Sequence, residues 1–156
     1  MKNSKVEICF IGNAIVDILS KVNYDMLEKL EIPKGSMQLV DEELSDKILK
    51  YIDNPTIISG GSAANTAVGF KSFGGECNFI GQIGNDKFGK LFSKDLNNSG
   101  IFFQDKAIPL SEKTSKSIVL VTPDAERSMN TFLGASNKLN INSIDGKFII
   151  NSSIIY

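Results

Sequence analysis

The chain has 156 residues, 42% hydrophobic and 22% charged, with a formal charge of −1. That suits one domain with a sizeable core, and it gives no electrostatic footprint for nucleic acid or an acidic membrane. Histidine is absent, which excludes Ser-His-Asp, Cys-His and histidine–metal chemistry within these residues.

No apolar run approaches the roughly 20 residues of a membrane helix, and the start, MKNSKVEICFIG, lacks a signal-peptide core and cleavage site. Cys9 and Cys77 each sit in an apolar run and read as buried, reduced thiols. The basic residues are sixteen lysines and one arginine, Arg127.

In chain order, Val6 to Ile11 reads as a buried strand that continues through Asn13-Ala14-Ile15-Val16-Asp17 into Ile18-Leu19. Gly35 to Val40 reads as a short strand with Met37 and Leu39 on one face. Asp41 caps a helix carrying Leu44, Ile48, Leu49 and Ile52. Thr56 to Ile58 is a second buried strand, ended by Gly60-Gly61. A helix over 62–73 follows, its Ala63, Ala64 and Ala67 small enough for close packing on a sheet, and Gly74-Gly75 stops it. Cys77 to Ile83 forms the next strand. Asp86 caps a helix with Phe88, Leu91, Phe92 and Leu96 on one face. Ile101–Ile108 and Ser115–Val121 read as an antiparallel pair, with Met129–Leu133 a further strand. Ile144, Phe148 and Ile149 suit a short helix, and Ile154 to Tyr156 opens a new strand. Alternation of strands and helices indicates an α/β fold with a parallel sheet. The segments near 18–40 and 101–122 break that rhythm and are expected to form a small accessory sheet. A chain that ends inside an apolar strand is expected to be truncated.

Two familiar phosphate loops fail. Lys71-Ser72 follows Phe70 rather than the glycine a Walker loop needs, and Gly12-Asn13-Ala14 departs from G-x-G-x-x-G. What stands instead is Gly60-Gly61-Ser62-Ala63-Ala64-Asn65 between a strand and a helix. Paired glycines let backbone approach a ligand, and free N–H groups there bind oxygen atoms. Without a ligand, the same residues make a tight strand-to-helix turn.

The longer pattern, Gly60-Gly61 through Asn65, then Gly74, then Gly84-Asn85-Asp86-Lys87-Phe88-Gly89, resembles the N-terminal signature of the ribokinase-like (PfkB) carbohydrate kinases. Gly12 to Asp17 is similar to that family's first strand and ribose-binding Asp. Lys34 to Met37 resembles its early lid region. Ala125-Glu126-Arg127-Ser128-Met129 with Leu133-Gly134-Ala135 looks most like its adenosine-kinase-like branch.

The resemblance implies a ribokinase-like parallel sheet flanked by helices, with a small β-sheet lid. Residues 1–156 would be the substrate-binding half, with lid segments about 18–40 and 101–122. The ATP site and general base would lie in a C-terminal half, since the family's D-T-x-G-A-G-D segment does not occur here. The implied function is ATP- and Mg2+-dependent phosphorylation of a sugar or nucleoside hydroxyl, adenosine-like favoured, in the cytoplasm. This chain alone would be inactive, and subunits would pair through the lid. The competing reading is a non-catalytic ligand-binding fragment of the same fold.

Residue roles follow from the resemblance. Asp17 accepts hydrogen bonds from vicinal sugar hydroxyls, where spacing alone suggests a turn cap. Asn13 completes the ribose contact. Gly61 and Asn65 line the sugar site, and Ser62 joins them or serves as an N-cap. Arg127 is either a cation near the substrate or transferred phosphate, or half of a solvated surface ion pair. Asp86 is simplest as a helix cap. Met37, Gln38 and Phe103 touch the ligand from the lid or form its core. No residue here is assigned as a catalytic base or as a metal ligand.

Overall fold

A computed structural model describes residues 6–104 and 112–156. The elements run β1 (Val6–Ile11), β2 (Ile15–Lys21), α1 (Tyr24–Lys29), β3 (Met37–Leu39), α2 (Glu42–Leu49), β4 (Thr56–Gly60), α3 (Ser62–Ser72), β5 (Cys77–Ile80), α4 (Lys87–Asn98), β6 (Phe102–Gln104), β7 (Ser115–Val121), β8 (Arg127–Phe132), α5 (Gly146–Ile150) and β9 (Ser152–Ile155). They form two sheets. One is all parallel, in the order β6-β5-β1-β9. The other is mixed, in the order β3-β8-β7-β2-β4.

The two sheets arise from two sequence patterns. All four residues of β5 are buried, as a parallel strand covered on both faces requires. In β2 the burial alternates: Val16, Ile18 and Ser20 are buried, while Ile15, Asp17 and Leu19 are half-buried. That period of two leaves one face of the second sheet open. Its inner face packs on Leu27, Leu30 and Ile32 of the α1 region and on Ile48 and Ile52 of the α2 region. Ala63, Ala64 and Ala67 of α3 and Phe88, Phe92 and Leu96 of α4 cover the parallel sheet within the same core. Phe79, Phe92 and Phe103 meet at ring-centroid distances of 5.4–5.8 Å. A ring buried in this way contributes about 1.5–3 kcal/mol.

The small sheet exists, but its membership differs from the expectation. Residues 102–104 join the parallel sheet beside β5 instead of pairing with 115–121. Phe103 is the reason: it is buried against Phe79 and Phe92 in the main core, so it is not a lid residue. The rest of that expected strand, 105–108, lies outside the described residues. β7 pairs instead with β2 in parallel and β8 antiparallel. Thr56 to Ile58, expected as a buried strand, belongs instead to β4 at the edge of the small sheet, antiparallel to β2, with Ile57 and Ile58 exposed. The helix α1, capped by Asn23, was not anticipated. Cys9 and Cys77 are free and buried, and burial raises both thiol pKa values, that of Cys9 to about 11. No helix among the described residues is long and apolar enough to cross a membrane.

Candidate functional site

Two chain crossings meet at the base of the small sheet. Register pairs Ile15 with Gly60 and Asp17 with Ile58, so the β1–β2 turn lies against the β4–α3 turn. A Cβ on Gly60 would overlap the Asp17 carboxylate; a hydrogen at this position leaves the carboxylate its place. Gly61 has φ +93°, a conformation that side chains disfavour. A Cβ there would come within 2.5 Å of the Asn13 carbonyl oxygen.

Gly61 is also the N-cap of α3, with no side chain capping the helix. Ser62 is therefore the first helical residue, not the cap. The first α3 N–H with a helical partner is that of Asn65, which donates to the Gly61 carbonyl at 2.9 Å. The preceding N–H groups carry the positive end of the helix dipole. The side chains of Asn13, Ser62 and Asn65 are exposed around this end.

Asp17 is half-buried, and no described residue gives its carboxylate a hydrogen bond or ion pair. Burial alone raises its pKa above the usual value. A desolvated acceptor beside open helix N–H groups suits a ligand that supplies O–H donors. Asn13, Asp17, Gly61, Ser62 and Asn65 are thus gathered at one place.

Arg127 is not with them. It opens β8 opposite Val121, while Asp17 shares a row with Ser117 and Thr131. Four residues of strand separate the rows, about 13 Å. Arg127 shares the open face with Asp17, is exposed, and has no ion pair among the described residues. On that same face stand Leu19, Val119, Met129, Met37 and Leu39, the last two 59% and 63% exposed. Gln38 points the other way, its amide donating to Asn130 at 2.7 Å.

Asp86 caps α4 through the Gly89 N–H at 2.8 Å, and its other oxygen accepts the Thr114 N–H at 2.8 Å. The Thr114 hydroxyl donates to the capping oxygen, Asp86 Oδ1, at 2.7 Å. The cap thereby holds the strand that enters β7. Burial pushes this carboxyl up, but hydrogen bonds from the Gly89, Thr114 and Phe88 backbone and from the Thr114 hydroxyl outweigh burial and leave its pKa lowered. Lys116 on β7 is buried, paired with Asp46 of α2 at 2.7 Å and flanked by the rings of Phe88 and Phe132. Spacing could not announce Thr114 or Lys116, because their partners lie 28 and 70 residues away.

A parallel sheet with a small mixed sheet beside it, and an unpartnered carboxylate where their connections cross, is the arrangement of a ribokinase-like α/β fold. Residues 35–151 match the model of the pfkB family carbohydrate kinases, and the chain belongs to that family. An adenosine kinase from Sinorhizobium meliloti superposes with a TM-score of 0.86 at 35% identity, over 97% of this chain and 46% of that one. A probable sugar kinase from Rhizobium etli gives 0.86 at 33% identity, over 98% and 46%. A 5-dehydro-2-deoxygluconokinase from Clostridium botulinum is 33% identical over 99 residues, 62% of this chain and 29% of that protein. The chain spans less than half the length of each.

Proposed function

We propose that this chain forms the acceptor-binding half of an ATP-dependent kinase that phosphorylates a hydroxyl of a sugar or nucleoside. The observation that carries this reading is the half-buried, unpartnered Asp17 carboxylate, held over Gly60 beside the uncapped start of α3. Asp17 accepts two vicinal hydroxyls and Asn13 completes the contact. Gly61, Ser62 and Asn65 line the other side of the sugar. Arg127 closes the far rim of the open face. The apolar residues on that face suit a flat base, which favours an adenosine-like acceptor, in keeping with the adenosine kinase likeness. The equally extensive match to a probable sugar kinase keeps simple sugars in the same reading.

The chemistry of such a transfer is positioning plus charge stabilisation. These residues orient the acceptor. The general base, the anion hole, the ATP site and the magnesium carried with ATP belong to the carboxyl-terminal half of the fold. Among the described residues no three acidic or thiol groups come together to hold a metal ion, so no step is assigned to one here. Buried free thiols suit a cytoplasmic setting, and subunit pairing through the small sheet belongs to the same proposal. A ligand-binding module of the same fold, without turnover, is the second reading.

The test is Asp17→Asn in the enzyme that joins this half to its carboxyl-terminal half, with acceptor and ATP varied in turn. Charge-assisted bonds contribute about 1.5–3 kcal/mol each, so acceptor kcat/KM should fall by roughly one to three decades, at about 1.4 kcal/mol per tenfold. ATP affinity should hold. The raised pKa means that the folded state favours the protonated carboxyl, a contribution lost as pH rises through the folded value. At neutral pH the substitution should therefore leave the melting temperature level or higher. Unchanged acceptor kinetics with a large drop in melting temperature would show Asp17 to be a structural cap.

A further inference from the structure

The run Leu133-Gly134-Ala135, which follows β8, has no part in the acceptor site as described so far. It leads into a 3-10 turn over Gly134–Lys138, and that turn is fastened to two other segments. The Ala135 N–H donates to the Lys113 carbonyl oxygen at 2.9 Å, just ahead of β7. From Ser136 a short relay of hydroxyls runs inward. Its N–H donates to Ser115 Oγ at 3.2 Å, and the Ser115 hydroxyl donates to Ser136 Oγ at 2.6 Å. The Ser136 hydroxyl then donates to the Ala14 carbonyl oxygen at 3.2 Å. The Ser115 hydroxyl also reaches the Leu133 carbonyl oxygen. Ser115 is fully buried and Ser136 is 5% exposed, so bulk water does not compete for these bonds.

The relay ends on the β1–β2 turn. Ala14 is fully buried and stands between Asn13 and the first residue of β2. Two consecutive peptide groups of that turn are therefore held by other segments: the Asn13 carbonyl lies against Gly61, and the Ala14 carbonyl takes the Ser136 hydroxyl. Strand register alone does not hold them, because the pairing of β2 with β4 and β7 begins at Ile15. We propose that Ser136 is a positioning residue of the acceptor site. Through the Ala14 carbonyl it fixes the turn that carries Asn13 and leads into the strand that carries Asp17. The inference rests on the acceptor-binding reading of Asp17. A buried carbonyl that loses its donor either stays unsatisfied or shifts to find another, and a misplacement near 1 Å at an orienting group costs up to about a hundredfold in rate.

The test uses the enzyme that joins this half to its carboxyl-terminal half, with adenosine and ATP varied in turn. Ser136→Ala should raise the KM for adenosine roughly tenfold, while kcat and the KM for ATP stay within about twofold. Ser115→Ala, which removes the middle of the relay, should show the same split in weaker form and add nothing to Ser136→Ala. In an Asp17→Asn background Ser136→Ala should cost less than about twofold, because the group it positions is already impaired; a merely structural role costs the same in both backgrounds. The proposal is overturned by equal cost in the two backgrounds, or by a Ser136→Ala enzyme that loses kcat or melting temperature with its adenosine KM unmoved. Weakened adenosine kinetics in Asp17→Asn beside wild-type kinetics in Ser136→Ala would overturn this inference alone. Unchanged adenosine kinetics in Asp17→Asn would overturn the acceptor reading, and this inference with it.

Discussion

A hydrogen in place of a side chain at Gly60 and Gly61 does two separate jobs. At Gly60 it leaves the Asp17 carboxylate its position, and at Gly61 it allows φ +93° beneath the Asn13 carbonyl. The two alanine variants should therefore fail differently. Gly60→Ala displaces the far end of one side chain, so it should weaken acceptor binding at least tenfold with a small effect on melting. Gly61→Ala strains backbone against backbone, costing about 1–3 kcal/mol, or roughly 2–12 °C in melting temperature at about 2–4 °C per kcal/mol. Melting curves beside acceptor titrations separate them. Equal melting losses would mean that Gly60 serves the turn and not the carboxylate.

Among the elements, α4 is the buttress of the small sheet. Asp86 ties its first turn to Thr114, and the Ser59 hydroxyl on β4 donates to Asp95 near its far end at 2.7 Å. Asp86→Ala removes a cap and two long-range bonds. Caps contribute about 0.5–2 kcal/mol, so the loss should reach the upper end of that range or exceed it. The pH dependence has a definite sign. The folded pKa of Asp86 is lowered, so its contribution is present above the unfolded value near 4 and is lost as pH falls through the folded value. The stability gap between wild type and Asp86→Asn should accordingly shrink below about pH 4 in denaturant titrations. A gap constant from pH 7 to pH 2 would assign the effect to packing.

At the scale of the molecule, one hydrophobic core joins the two sheets, and the proposed acceptor site lies where their connections cross. The chain alone should show no ATP-dependent phosphorylation of adenosine, ribose or fructose phosphate. General acid–base and anion-hole groups each contribute factors of about 10² or more, and no residue here has been given either role. Robust turnover by the purified chain, followed by coupled assay, would overturn the division of labour between the halves.

Local chemistry made much of this visible from the residues alone. Caps at Asp41 and Asp86, the glycine stop at Gly74 and the small face of α3 act within a few residues, so a sequence states them directly. The Gly60–Gly89 pattern and the Gly12–Asp17 run likewise marked two local segments, which the register of β2 with β4 brings side by side. Strand partnership was different. Phe102–Gln104 and Ser115–Val121 are both apolar enough for either sheet, and choosing between them depends on which face each can bury. Phe103 entered the main core against Phe79 and Phe92, while β7 was drawn between β2 and β8. Thr56 to Ile58 read as a buried strand because Ile57 and Ile58 are apolar, yet it lies in an exposed edge. The pairing of Asp86 with Thr114 and of buried Lys116 with Asp46 joins residues distant in sequence. Hydrophobicity and spacing carry no record of such meetings; only the packing of the two sheets on a common core decides them.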